Sequence, residues 1–402
     1  MRVPLAVVGL NETDIENVLA VLRSGKLTMG EKVAEFETAM ASYLRAKQFI
    51  MVNSGSSANL LMFESQLRPL NGKPKLKNGD GVLVPAIAWP TSIWPIIQLG
   101  LVPIFVDVSR DTFALDLESA SKAIRYSKIP VKAIFPIHPL GFAIDPEELD
   151  AFVMKNSLIL LNDVCESLGS WHKGLHAGMS GVAASFSFYF SHHITTMEGG
   201  GIATDSLELA DDLRSMRSHG WSRDRVNPVR DVKDLSIPDS KFQFVTTGYN
   251  VRPTEIQAGI GLSQVSFIDE FVNKRRKLVS RVLSSLEGTP LNLVVDENIA
   301  KNLESKNHSW MMIPLSVNLE STTKKIIQQF LDENGVETRP VLTGNFLNQP
   351  VMKNLTEFIS NVPLTNTDWV ANNCFLIGAH HDYSEEQISH LVEVLSMTKR
   401  FM

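Results

Sequence analysis

Two adjacent histidines, His192 and His193, stand in the run Ser187-Phe188-Tyr189-Phe190-Ser191-His192-His193-Ile194-Thr195-Thr196-Met197-Glu198-Gly199-Gly200-Gly201. Imidazole exchanges protons near neutral pH, so such a pair suits acid–base work or metal binding. Adjacent side chains on an extended segment point to opposite faces, and no cysteine or carboxylate cluster joins these two, which weighs against a metal. The glycines that follow let backbone approach a ligand closely. Asn53-Ser54-Gly55-Ser56-Ser57-Ala58-Asn59 has the make-up of a strand-to-helix turn. Its N–H groups and hydroxyls, with Gly55 closing the turn and Ser56 beside it, can hold an anion; the same residues also make an ordinary serine-rich helix cap. Asp163 ends the apolar run Leu158-Ile159-Leu160-Leu161-Asn162. A carboxylate there can pair with a protonated ring nitrogen or simply cap a turn, and Glu166 lies one turn further on. Trp89, after Pro85-Ala86-Ile87-Ala88, can stack on a planar ligand or fill a core.

The elements that must position these residues follow from the apolar pattern. Runs rich in Val, Ile and Phe predict strands over 49–53, 82–85, 102–106, 131–135, 158–162 and 184–189. Between them lie expected helices over 57–66, 91–99, 117–126 and 146–155. Apolar strands alternating with helices predict an α/β fold with a mostly parallel sheet covered on both faces. In such sheets ligands bind outside the carboxyl ends of the strands. An amphipathic helix over 12–22 stops at Gly25. A long helix from Pro253 to about 286 leads into a strand near 310–315, a helix over 322–334, a strand over 336–341 and a last helix over 384–397. The expected division is a large α/β domain, 1–262, and a smaller C-terminal α+β domain, 263–402.

Composition narrows the function. A chain of 402 residues exceeds what one core usually supports. Acidic residues number 44 and basic ones 38, a net −6 with no basic stripe, so a nucleic-acid partner is not expected. The apolar stretch 81–108 is broken by Pro85, Pro90, Pro95 and Pro103, and the first residues lack a signal-peptide pattern; no membrane partner and a cytoplasmic place are expected. Cys165 and Cys374 are too few for a disulfide framework, a four-thiolate zinc site or an iron–sulfur cluster.

Taken in order, the serine–glycine turn, the strand-end Trp, Asn162-Asp163-x-x-Glu166-Ser167 and the His-His…Glu-Gly-Gly run resemble the DegT-type sugar aminotransferases of fold type I, the aspartate aminotransferase-like fold. The likeness extends through Leu27-Thr28-Met29-Gly30-Glu31, Ser218-His219-Gly220-Trp221, Gly248-Tyr249-Asn250-Val251-Arg252-Pro253 and Arg339-Pro340-Val341-Leu342-Thr343-Gly344-Asn345-Phe346. That family carries the lysine that binds pyridoxal phosphate six residues before the Glu of Glu-Gly-Gly. Here that place is His192, and no lysine lies between Lys173 and Lys233. Histidine at this place is similar to the family's sugar 3-dehydratases. A second dehydratase group adds an iron–sulfur cluster on several cysteines, and two cysteines argue against it.

The resemblance implies a pyridoxal 5'-phosphate/pyridoxamine 5'-phosphate enzyme that holds its cofactor without a covalent link and uses L-glutamate as amino donor. It would remove the C3 hydroxyl of a nucleotide-linked 4-keto-6-deoxy sugar, a step toward 3,6-dideoxyhexoses of lipopolysaccharide O-antigen. By the same likeness His192 is the catalytic base and acid, Asp163 faces the ring nitrogen and Trp89 stacks on the ring. Gly55, Ser56 and Ser187 hold the phosphate, and Glu166 lies beside the ring. The family's active site lies at a homodimer interface, which implies that Asn250 and Arg252 come from the partner subunit, Asn250 toward the phosphate. His219, Arg223, Arg252 and Arg339 belong to the substrate end; for His219 a structural role stays open. Asn162 stands where many relatives have Glu, and the charged loop 222–241 is a candidate for substrate choice. Two other readings remain at this point: an aminotransferase that leaves nitrogen on the sugar, and a non-catalytic sensor of cofactor or nucleotide sugar.

Overall fold

Seven short strands form the central sheet: β1 (Gln48–Val52), β2 (Gly81–Pro85), β3 (Val102–Val106), β4 (Val131–Ile134), β5 (Ile159–Asp163), β6 (Ala183–Ser187) and β7 (Gly200–Thr204). This computed structural model describes every residue except 8, 71–72, 227–241, 318–320 and 357. The order across the sheet is β1-β7-β6-β5-β4-β2-β3. β7 runs antiparallel to both neighbours, and the pairings β6–β5, β5–β4, β4–β2 and β2–β3 are parallel.

Both faces of the sheet are buried because successive side chains point opposite ways and both sets are apolar. Ile50, Val52, Val82, Val84, Phe105 and Ile202 face helices α3 (Gly55–Leu67), α4 (Pro90–Gln98) and α7 (Leu207–Met216). On the opposite side, Leu83, Ile104 and Leu160 meet α5 (Leu117–Tyr126) and α6 (Pro146–Asn156). Phe49, Met51 and Ala203 meet α2 (Glu31–Leu44) and α8 (Glu255–Val265). Phe36 of α2 packs edge-on to Phe49 and Phe188. The mostly parallel α/β architecture is therefore the one expected.

β7, α2 and α7 were not anticipated. β7 opens with two glycines, which carry no strand propensity. Each is required by close approach: a Cβ on Gly201 would stand 2.2 Å from Phe49 Cζ, and one on Gly200 would stand 2.4 Å from the carbonyl carbon of Ser54. The single long helix expected after Pro253 is two, α8 and α9 (Ile268–Ser285), separated at Ser266-Phe267. The break redirects the apolar face. Ile268 and Val272 of α9 still pack on the large sheet's layer, whereas Leu278, Val279 and Val282 join the C-terminal core.

That C-terminal core covers a four-stranded antiparallel sheet of β8 (Leu291–Leu293), β9 (Met312–Val317), β10 (Thr338–Arg339) and β11 (Cys374–Gly378), in the order β8-β9-β11-β10. Helices Ser321–Glu333 and Glu385–Met397 lie against it. The N-terminal α1 (Glu12–Ser24) has an Asn11 capping box and ends at Gly25 in the left-handed conformation, φ 68°. Val3 pairs with Val336 and adds its side chain to the C-terminal core. No helix among the described residues is long and apolar enough to cross a membrane.

Candidate active site

The carboxyl ends of β1, β2, β5 and β6 open onto one cavity of about 300 Å³. Beyond β1, Ser54 caps α3, its hydroxyl accepting from Ser57 N–H at 3.1 Å. Gly55 and Ser56 therefore present the first turn of α3 to the cavity, a natural anion seat. Gly55 is held there by crowding: a Cβ would stand 2.7 Å from Ser187 Cβ and 3.1 Å from Cys165 Sγ. Gly200 of β7 presses on this turn from behind, which gives the second glycine of Glu-Gly-Gly a physical reason.

Asp163, at the end of β5, is buried. Its Oδ2 accepts from Asn59 Nδ2 at 3.0 Å and from Ser92 Oγ at 2.7 Å, and its Oδ1 accepts from Cys165 N–H at 3.1 Å. Donors alone surround it, so it is held as an acceptor for a cationic partner. Trp89 caps the start of α4 and is 45% exposed, with the Arg339 guanidinium carbon 5.4 Å from its ring centre. Glu166 Oε2 accepts from Leu140 N–H at 3.0 Å. Burial in the cavity wall pushes the Glu166 carboxyl up to about 7, with the Leu140 N–H and Arg339 acting the other way.

The loop between β6 and β7 carries the histidines. Phe188 N–H donates to Gly199 O at 2.9 Å and Thr196 N–H to Phe188 O at 2.9 Å, closing the loop on itself. His192 Nδ1 lies 2.6 Å from Cys165 O. A carbonyl only accepts, so Nδ1 carries the proton and Nε2 keeps a free lone pair. Burial lowers the His192 pKa to about 4, so the ring is neutral, a base in waiting, at ordinary pH. His193 points elsewhere: it is buried, its Nε2 donates to Ser309 O at 3.2 Å, and burial holds its pKa well below the usual value.

Of the residues singled out in the sequence, Gly55, Ser56, Trp89, Asp163, Glu166, Ser187, His192 and Arg339 line the cavity together. Asn250, Arg252, His219 and Arg223 do not. They lie off the lining, on a segment tied to the end of β1 by Asn53 N–H donating to Val251 O at 3.0 Å; there Ser218 pairs with Asn250, His219 N–H donates to Tyr249 O at 2.8 Å and Arg252 Nε donates to Asn250 Oδ1 at 3.1 Å. Arg223 there stacks 4.9 Å over Trp221. Most of the charged loop 222–241 lies outside the described residues. Sequence reasoning missed Ser92, the Cys165 carbonyl, and Tyr189, Glu198 and Met311 of the lining. Asn59 ended the quoted serine–glycine run, so its spacing was a usable signal; Ser92 gave none.

The donor set fits pyridoxal phosphate: an anion cup whose glycine cannot bear a Cβ, a carboxylate for a ring nitrogen, an exposed indole for a ring face. No lysine lines the cavity among the described residues.

Sheet, cavity and C-terminal α+β unit together define a fold type I pyridoxal phosphate enzyme. The chain belongs to the DegT/DnrJ/EryC1/StrS aminotransferase family, whose model matches residues 9–396. It is 35% identical to the GDP-4-keto-6-deoxy-D-mannose 3-dehydratase of Escherichia coli O55:H7, over 98% of this chain and 99% of that one. The E. coli GDP-4-keto-6-deoxy-D-mannose-3-dehydratase solved with bound hydrated PLP has a TM-score of 0.88 at 32% identity, covering 98% of this chain and 99% of that one. A GDP-4-keto-6-deoxymannose-3-dehydratase with a trapped PLP-glutamate geminal diamine also has a TM-score of 0.88, at 33% identity over 98% of this chain and 100% of that one.

Proposed function

We propose that this chain is a 3-dehydratase, removing the C3 hydroxyl of a nucleotide-linked 4-keto-6-deoxy sugar with L-glutamate as the source of the amino group. The observation that carries the reading is His192: a neutral imidazole with Nδ1–H fixed on Cys165 O and Nε2 free, in a cavity lined by no lysine among the described residues. Pyridoxal phosphate, when bound, supplies an electron sink and a carrier for the amino group.

The chain's own residues do the rest. Gly55, Ser56 and Ser187 would hold the phosphate, Trp89 would cover a ring face, and Asp163 would accept the hydrogen bond of a protonated ring nitrogen. Glu166 would stand beside the ring. His192 Nε2 accepts a proton and, once protonated, delivers it to the departing C3 hydroxyl. Lysine in this place would also bind the cofactor covalently; histidine restricts the residue to moving protons. The balance closes with glutamate: its oxidation to the 2-oxo acid and ammonia supplies the two electrons that replace C–OH by C–H, and the sugar leaves without nitrogen. Arg339 serves the substrate end, where a planar guanidinium suits a phosphate.

The active form in this reading is a homodimer. Trp89, Tyr189 and Phe190 are exposed at or next to the cavity, and Trp221, Phe242 and Phe244 form a stacked, largely exposed aromatic group near His219 and Asn250. A second copy that covers such surfaces would bring His219, Arg223, Asn250 and Arg252 to its neighbour's cavity. The cytoplasm, home of nucleotide sugars and glutamate, is the place this reading assigns.

Mass spectrometry of products from a panel of GDP- and dTDP-linked 4-keto-6-deoxy sugars, with cofactor and glutamate, tests the activity. A 3-deoxy-4-keto product and free ammonia are expected; an amino sugar would show an aminotransferase instead. Borohydride should leave the reduced cofactor unattached to the chain, and a cofactor-modified lysine peptide would overturn the role of His192.

A further inference from the structure

Arg275, in the middle of α9, is 1% exposed although it is a cation. Its Nη1 donates to the carbonyls of Trp310 at 3.3 Å, Met311 at 3.1 Å and Ala379 at 2.9 Å. Its Nη2 donates to His192 O at 3.4 Å and to His381 Nδ1 at 3.4 Å. All five acceptors are neutral, so the desolvation of this charge is offset by four carbonyl dipoles and one imidazole nitrogen and not by a contacting counter-charge. Burial brings its pKa down to about 10, which leaves it charged at neutral pH.

Two of these carbonyls belong to residues of the cavity wall, His192 and Met311. Met311 N–H donates to Leu140 O at 2.9 Å, and Leu140 N–H holds Glu166. Trp310, between them, has a φ of 50°, an uncommon place for so bulky a side chain, and its ring lies 3.9 Å from that of His308. The far side of the guanidinium is equally fixed. The His381 ring stacks between Phe271 at 3.9 Å and His380 at 4.3 Å, and its Nε2 lies 3.4 Å from Asp382 Oδ2. His380, His381 and Asp382 are close enough to suggest a metal site. Their Nδ1 lone pairs are already taken, by Asp382 N–H on His380 and by Arg275 on His381.

We propose that Arg275 is a positioning residue for the reaction: its guanidinium ties the main chain at His192, Met311 and Ala379 into one unit, so that the His192 ring and, through Leu140, the Glu166 carboxylate keep fixed places in the cavity. The inference rests on the reading of His192 as the base. The charged and titratable groups facing His192 are Asp163, Glu166, Glu198 and Arg339 across the cavity, Cys165, Tyr189 and His193 beside it and Arg275 behind it.

The test compares the full-length parent with Arg275→Gln and Arg275→Lys. Carbethoxylation of His192 by diethyl pyrocarbonate, read by peptide mass mapping from about pH 4 to about pH 8, reports the ring's titration and access without cofactor or sugar. In Arg275→Gln the His192 midpoint should rise and its plateau rate change at least about threefold; Arg275→Lys, which keeps the charge, should restore the midpoint but not the rate. With sugar and glutamate, kcat should fall about 10- to 100-fold in both variants while KM for the sugar stays within about twofold. A folded Arg275→Gln protein with parental His192 reactivity and kcat would overturn the proposal. So would failure of both variants to fold, which assigns Arg275 to stability alone. If the parent itself does not deoxygenate sugars, the carbethoxylation comparison still decides, because it depends on neither ligand.

Discussion

The two neighbouring imidazoles have opposite lone-pair arrangements, and this separates their roles more sharply than their positions do. His192 spends its N–H on Cys165 O and keeps Nε2 for the cavity; His193 spends its N–H on Ser309 O in the core. His192→Asn should abolish C3 deoxygenation while cofactor binding, followed by absorbance, survives. His193→Asn should instead lower stability by about 1 to 2 kcal/mol, the value of one buried hydrogen bond, and leave kcat within a few-fold. Glu166 gives a prediction with a definite sign. Burial holds its folded pKa near 7, above the ordinary value of about 4.5 for a free glutamate, so the unfolded chain ionises first. Burying it therefore costs little at low pH, and the cost grows from about pH 4.5 to about pH 7, reaching at most about 3 kcal/mol. Glu166→Gln should raise the melting temperature of the cofactor-free protein near pH 8 and leave it unchanged near pH 4. An equal gain at both values would mean that the carboxyl is not displaced from its usual pKa. At this scale the sequence was informative about side chains that line the cavity, such as Trp89, Asp163, Glu166 and His192. The fixing of the His192 tautomer was not legible, because a main-chain carbonyl looks the same in every sequence.

Strands and helices in the parallel part of the sheet were legible because their apolar runs are long and unambiguous, as in 102–106 and 158–162. β7 was not, since Gly200 and Gly201 are there to let Ser54 and Phe49 approach, a demand set by tertiary packing. α2 did carry a helical signature in the spacing of Val33, Phe36, Met40 and Leu44. Its entry was hidden, because Gly30 offers no side-chain cap. The N–H groups of Gly30, Lys32 and Val33 donate instead to the Glu255 carboxylate, more than 220 residues away, at 2.8 to 3.0 Å. The glycine packed behind the first turn of α3 can be tested directly. In Gly200→Ala the new methyl would lie 2.5 Å from Gly55 N, so the turn or the strand must shift. Cofactor affinity by absorbance titration should weaken about tenfold or more, equivalent to about 1.4 kcal/mol, before any change at His192. Retained affinity would mean that the first turn of α3 is not the phosphate seat.

Within the whole molecule, some candidate groups line the cavity and others, His219, Arg223, Asn250 and Arg252, do not. If the second set completes a neighbour's cavity, two inactive variants should rescue each other. His192→Asn and Arg252→Ala subunits, mixed at equal amounts and allowed to exchange, should recover activity in about a quarter of all sites, because each mixed dimer holds one intact site. No recovery despite demonstrated exchange would place both residues in the same site or assign Arg252 another role. The pairing of Val3 with Val336 has a consequence of a different kind. Arg2 also pairs with Glu337, and Tyr383 donates its hydroxyl to Pro4 O, so the opening segment is a structural part of the C-terminal core. These partners lie more than 330 residues apart along the chain. At ordinary ribosomal speeds, Val3 leaves the ribosome roughly 15 to 70 s before Val336 does. Throughout that interval the large sheet can assemble while the apolar opening segment waits for its partner. Burial of Val3 is thus a late event in synthesis, completed only once the chain around Val336 and Glu337 is available.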